Sequence, residues 1–135
     1  MEDYTTVKAI SADVAEADVT RWLNHKKVFD STRNEHKDKI NLLIEGIQNG
    51  VLVINEDFTI THKLLHPLDG VTELTYRARI NDNMLRDYYK GVANDDGDER
   101  LRAVIGCLTE KARGIIAKLD SLDKKLSIAI GIFFM

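Results

Sequence analysis

Between Asp98 and Leu119 the chain carries its longest unbroken periodic signal. Leu101, Val104, Ile105, Leu108, Ala112, Ile115, Ile116 and Leu119 recur at steps of three and four. That spacing predicts one continuous helix of about six turns with a single apolar stripe. Arg100, Arg102, Glu110, Lys111, Arg113 and Lys118 fall off the stripe and mark the solvated side. Such a helix is stable chiefly through burial of its apolar face, at roughly 25 cal/mol per Å² removed from water. The remaining segments must therefore supply the opposite wall.

A chain of 135 residues has the size of one domain and can bury roughly two thirds of the surface that its unfolded form exposes. Residues 1–135 are expected to form a single domain, with residues 1–10 as a flexible arm or edge strand. No disulfide is expected, because Cys107 is the single cysteine. Its place beside Leu108 in the apolar helix suits a small buried side chain in a reducing compartment. Nineteen basic residues against 22 acidic ones, a net charge of −3, leave no excess of cations to neutralise a phosphate backbone, so nucleic acid is not expected as the principal partner. The start, with Glu2 and Asp3, lacks the basic and apolar regions of a signal peptide. The apolar run Leu126 to Met135 is about half the length that spans a bilayer. These features predict a cytoplasmic protein with no membrane partner.

Taken in order, Ser11 or Asp13 caps a first helix that reaches Phe29 and is anchored by Trp22, which serves either the core or a partner surface. A second helix, Arg33 to Gln48, carries a stripe of Ile40, Leu42, Leu43, Ile44 and Ile47, and Gly50 closes it in the left-handed conformation. From Val51 to Arg79 alternation predicts a three-stranded antiparallel meander. In its second strand Phe58, Ile60, His62 and Leu64 share one face, and the next turn is His66-Pro67-Leu68-Asp69-Gly70, with Pro67 ending the pairing. Asn81 or Asp82 caps a short helix containing Met84, Leu85, Tyr88 and Tyr89, and Gly91 ends it. The final helix, Asp120 to Met135, begins on a sequence resembling a capping box, Asp120 with Asp123. It shows a stripe of Leu122, Leu126, Ala129, Ile130 and Phe133. The fold class expected is α+β: a three-stranded meander on a mainly helical domain with two N-terminal and three C-terminal helices. Its Ile60, Leu64, Leu74 and Tyr76 face should lie on helix Asp98 to Leu119.

Chemistry-bearing patterns are sparse. No glycine-rich phosphate loop, cysteine pair, HExxH or GxSxG occurs, so neither catalytic residues nor a cofactor are expected. His62 and His66 stand four apart, a spacing that gathers ligands on a helix and not on a strand entering a turn, and no metal is expected there. His25 and His36 lack companions at ligand spacing and read as exposed helix-face residues. The acidic run Asn94 to Glu99 fails as an EF-hand loop, since placing Gly97 sixth puts Val92 first. Asp96 or Asp98 instead caps the long helix. The greasy last turn makes Leu126, Ile130, Phe133 and Phe134, together with Trp22, the candidate partner-binding residues, and it also permits self-association into a homo-oligomer.

From about Thr59 to Met135 the chain resembles the tail assembly chaperones of tailed bacteriophages, particularly those of Mu-like and related temperate phages. The strand Ile60 to Leu65, the turn with Pro67 and Gly70, the returning strand Val71 to Arg77, Leu108-Thr109, Leu119-Asp120-Ser121-Leu122-Asp123 and the phenylalanine end carry the likeness. The resemblance implies a non-catalytic protein of the host cytoplasm that coats the tape measure protein, keeps it soluble and recruits tail tube subunits. It also implies a longer product of an overlapping frame, reached by a ribosomal frameshift near Ile132 to Phe134. A structural tail or neck component of the virion, or a regulatory interaction domain of a mobile element, are the alternatives from other classes.

Overall fold

A computed structural model describes residues 10–68 and 70–135. The expected arm, apart from Ile10, and the Asp69 half of the expected turn lie outside the described residues. The architecture is the α+β one that the alternating and helical patterns predict. Among the described residues, a single antiparallel sheet of order β1-β2-β3 sits among seven α-helices and a terminal 3-10 turn.

The N-terminal region holds three helices where two were expected. α1 (Ala12–His25) starts on Ser11, whose hydroxyl accepts from the Val14 N–H at 3.4 Å. It ends two residues before Lys27, which takes the left-handed conformation at φ 57°. Asp30–Glu35 forms the short α2, and a non-helical His36, at φ −110° and ψ 32°, separates it from α3 (Lys37–Gln48). The additional break arises in the charged stretch before Ile40, where no apolar stripe holds one continuous helix against the core. Gly50, at φ 74°, ends the α3 region as its position predicts and feeds the chain into β1.

β1 (Leu52–Ile54), β2 (Ile60–Leu68) and β3 (Val71–Tyr76) form the meander. Leu52 pairs with His62, His62 with Leu74, and Ile60 with Tyr76. Pro67 does not end β2. The β2–β3 register slips between Lys63 and Leu68, and pairing resumes at Leu68 with Val71. A residue without an N–H is tolerated where the ladder is already irregular. Ile60, His62, Leu64, Leu74 and Tyr76 all point to the buried side.

The long helix is not continuous. α4 (Asp82–Leu85), capped by the Asn81 side chain on the Met84 N–H, leads to α5, which covers Gly97–Thr109. Glu110 then turns left-handed at φ 57°, and α6 occupies only Arg113–Ala117. The reversal is stabilised locally: the Lys111 N–H returns to the Gly106 carbonyl at 3.0 Å, a Schellman-type bond, while the Thr109 hydroxyl donates to the Ile105 carbonyl at 2.8 Å. Gly106 makes the turn sterically possible, because a Cβ there would stand 2.7 Å from the Lys111 carbonyl oxygen. Periodicity continues across the break, since Ile116 and Leu119 reach the same core from α6 and its end. The apolar spacing therefore reports one buried surface served by two helices. Arg113 clamps the reversal from outside, with one guanidinium nitrogen 3.4 Å from Glu99 and another donating to the Lys90 carbonyl at 2.8 Å.

α7 (Ser121–Gly131) closes the domain, and Ile132–Phe134 tightens into the 3-10 turn. α1 packs on α3, α3 on α7, and α5 on both α7 and β3, while α7 also lies beneath β2. The expected sheet-on-helix contact is present on α5, where the Arg77 N–H also donates to the Leu108 carbonyl at 2.9 Å. α7 shares the role that was expected of the long helix alone.

Leu108 is fully buried, so Leu108→Ala should lower unfolding free energy by about 2–5 kcal/mol in urea denaturation. Gly106→Ala forces a side chain onto backbone and should cost about 1–3 kcal/mol. A glycine tolerant of alanine would show that the turn after Thr109 is not folded back on Gly106.

Candidate functional site

The densest grouping of chemically capable side chains joins the sheet to α7. His62 on β2, Tyr76 on β3, and Asp123 and Ser127, four apart on one face of α7, are each 0% exposed. His62 Nδ1 lies 2.9 Å from the Tyr76 hydroxyl, His62 Nε2 lies 3.1 Å from Asp123 Oδ1, and the Tyr76 hydroxyl lies 2.6 Å from Ser127 Oγ. Asp123 also accepts two backbone N–H groups, from Leu65 on Oδ1 at 2.9 Å and from His66 on Oδ2 at 3.0 Å. The carboxylate therefore collects three donors.

One pattern of protons satisfies every member. A carboxylate only accepts, so His62 carries its proton on Nε2 and offers Nδ1 as acceptor to the Tyr76 O–H. The tyrosine oxygen is then free to accept from Ser127. All the bonds run in one direction, from Ser127 through Tyr76 and His62 to Asp123. Burial pushes the Tyr76 phenol far above its ordinary range. His62 is lowered from its ordinary 6.5, because burial outweighs the hydrogen bond and charge of Asp123, which act to raise it.

These are the residue types of a nucleophilic relay, but their geometry is that of a polar clasp. Ser127 stands hydrogen-bonded to a phenol and not to the imidazole, and no atom of the four side chains meets solvent. Both imidazole nitrogens are engaged, so His62 has no lone pair to give a metal, and His66 points outward with its ring 3.6 Å from Asp120. The β2 irregularity is what separates these two histidines onto different sides.

Sequence reasoning missed the clasp while holding its parts. His62 was placed on the same face as Ile60 and Leu64, and a polar group on a buried face demands a partner. The capping-box spacing puts Asp123 in the helix cap, but that role belongs to Asp120 alone, whose side chain accepts from the Leu122 N–H at 3.3 Å. The α7 stripe is correspondingly rotated: Leu122, expected inside, is 43% exposed, and Asp123 takes the inward position.

Four of the five residues expected at a partner surface lie in the chain's own core. Trp22, Leu126, Ile130 and Phe133 are buried, and Phe134 is half-buried. Trp22 meets Phe133 edge to face at 5.8 Å and Phe134 at 6.1 Å, so the last turn completes the core between α1 and α7. His36, expected to be exposed, meets Phe133 edge to face at 5.8 Å, and His25, expected likewise, stacks on Phe58 at 3.8 Å. Cys107 is fully buried, and burial pushes its thiol up. Asp96 is the residue that caps α5, accepting from the Glu99 N–H at 3.2 Å.

Solvent does reach an apolar cleft of about 240 Å³ between α5, α6 and α7, floored by Leu101, Ile105, Ile116 and Ile128. Asp98, Arg102 and Lys124 line it beside them. No helix among the described residues is long and apolar enough to cross a membrane. Comparison with protein-family models, with curated proteins and with solved structures finds no match for this chain.

Asp123→Ala would leave His62 and two backbone N–H groups without their acceptor and should destabilise by about 3–5 kcal/mol. The histidine adds a pH dependence of known sign. Its folded value lies below 6.5, so under acid the unfolded chain binds the proton first. The contribution is present above the unfolded value and is lost as pH falls through the lower folded one. The urea midpoint should therefore drop on going from about pH 7.5 to 5, and His62→Gln should flatten that drop. An equal slope in the variant would show that His62 does not carry it.

Proposed function

We propose that this protein is a non-catalytic assembly chaperone of tailed phages or prophages, binding the tape measure protein in the host cytoplasm and recruiting tail tube subunits. What supports the reading first is the resemblance of the meander and last helices to that family. The structural observation that carries it is a division of labour. The side chains capable of chemistry are consumed by the clasp, while the apolar cleft between α5 and α7 stays open to solvent with charged residues at its side. An amphipathic helix presents that complement, apolar side chains for the floor and charged flanks for Asp98, Arg102 and Lys124. A tape measure protein is a long helix whose apolar stripes need cover until the tube surrounds them.

Co-expression with the candidate tape measure protein should yield a soluble complex on affinity purification, and the chaperone should be missing from finished tails. Ile128→Lys, on the half-buried wall of the cleft, should reduce recovery of the complex at least about tenfold while leaving the circular dichroism spectrum unchanged. Presence in finished tails at fixed stoichiometry would make the protein a structural virion component instead. Undiminished recovery with Ile128→Lys would remove the cleft from the interface.

A further inference from the structure

We propose that the concavity where α1 ends, walled by His25, Lys26, Lys27 and Arg79, binds a dianionic phosphate group. The concavity measures about 300 Å³ and has Ala78 as its one uncharged, non-titratable lining residue. A chain with a net charge of −3 thus gathers two lysines, an arginine and a histidine around one hollow, with no acidic residue in the wall among the described residues. None of the three cations stands within an ion-pair distance of a carboxylate among the described residues.

The ordinary employment for cations at a helix C-terminus is already filled. The last α1 carbonyls are met by backbone N–H groups: Lys26 to Trp22 at 3.1 Å, Lys27 to Asn24 at 3.0 Å, and Val28 to Leu23 at 3.1 Å. The side chains are left facing the hollow. Two of them, Lys26 and His25, are also held there. The Lys26 ammonium rests 3.3 Å above the Phe134 ring centroid and 5.8 Å from that of Trp22. His25 is stacked flat on Phe58, whose other neighbour is the Arg21 guanidinium at 4.9 Å.

Backbone strain collects at the same place. Of the non-glycine residues with positive φ among those described, Lys27 lines the concavity, and Phe58, at φ 66°, supports its histidine. A bulky aromatic residue in that region is uncommon, and such conformations persist where surrounding structure imposes them. The electrostatics agree. Lys26 is lowered to about 8, first by burial and then by the positive charge of Arg79. Two cations that repel each other across a hollow are the arrangement that an oxyanion with two charges relieves, and a single carboxylate would relieve it only in part.

The test uses the full chain with inorganic phosphate, methyl phosphate and acetate at matched ionic strength. Inorganic phosphate should give a saturable rise in Tm of at least about 2 °C, and the Lys26 amine, followed by NMR, should move up from about 8 toward its ordinary 10.5. The groups that line the hollow beside Lys26 are His25, Lys27 and Arg79. Arg79→Gln, on an exposed side chain, and Lys27→Gly, which keeps the positive φ, should each abolish the saturable rise while leaving the circular dichroism spectrum intact. Methyl phosphate binding as tightly as phosphate assigns the site to a phosphomonoester, and phosphate binding alone assigns it to the free ion. The proposal is overturned if phosphate gives no saturable response, if acetate matches it, or if both variants respond as the wild type does.

Discussion

The carboxylate of Asp123 is the point on which the sheet and the helices depend. It is the only acidic side chain fully buried among the described residues, and it is bound from three directions by β2: by the imidazole of His62 and by the N–H groups of Leu65 and His66. A buried charge is tolerated only where donors surround it, so the position of α7 under β2 is fixed to within hydrogen-bond tolerance. Leu65 and His66 lie inside the stretch where the β2–β3 register slips. Neither residue has a register partner on β3, and α7 accepts from the N–H of both. The irregularity in the sheet and the acid in the helix explain each other.

From that contact the packing follows outward. Ser127 comes round one turn after Asp123 and takes the Tyr76 hydroxyl, which fixes β3 as well as β2. Gly131 then lies where a Cβ would stand 2.9 Å from the Ile105 side chain, so α7 closes tightly on α5. Gly46 plays the same part toward Leu52, letting α3 approach β1. Apolar burial supplies most of the stabilisation, but it is indifferent to small rotations of a helix about its axis. The polar clasp is not, and it selects the rotation that exposes Leu122 and buries Asp123.

This explains which parts of the fold were legible in the sequence. The meander, its buried face and the caps at Ser11, Asn81 and Asp96 could be read because each rests on local signals: alternation, or a polar side chain at the head of a periodic run. The break after Thr109 could not, because apolar spacing carries on through it and the residue that turns left-handed is a glutamate. The one available trace was Gly106, a glycine inside a helix, which marks close backbone approach as often as flexibility. The clasp was hidden for another reason. His62 and Asp123 are 61 residues apart, and each had an adequate local explanation. The legible fact was that a histidine shared a face with Ile60 and Leu64 and so owed a partner.

The last turn shows the same logic applied to function. An apolar circumference at a chain end suggests a binding surface when the helix is considered alone. Here α1 presents Trp22 and the break between α2 and α3 presents His36 to it, and the ring contacts use up most of what periodicity marked as free. What remains outside is the half-buried Phe134 with the Lys26 ammonium over its face. An aromatic ring in contact with tryptophan and with a lysine that has no carboxylate partner among the described residues belongs to the core and to the basic hollow at once. The tail therefore connects the packing of the domain to the basic concavity, so that a ligand drawing on Lys26 would act directly on the contact that seats Phe134.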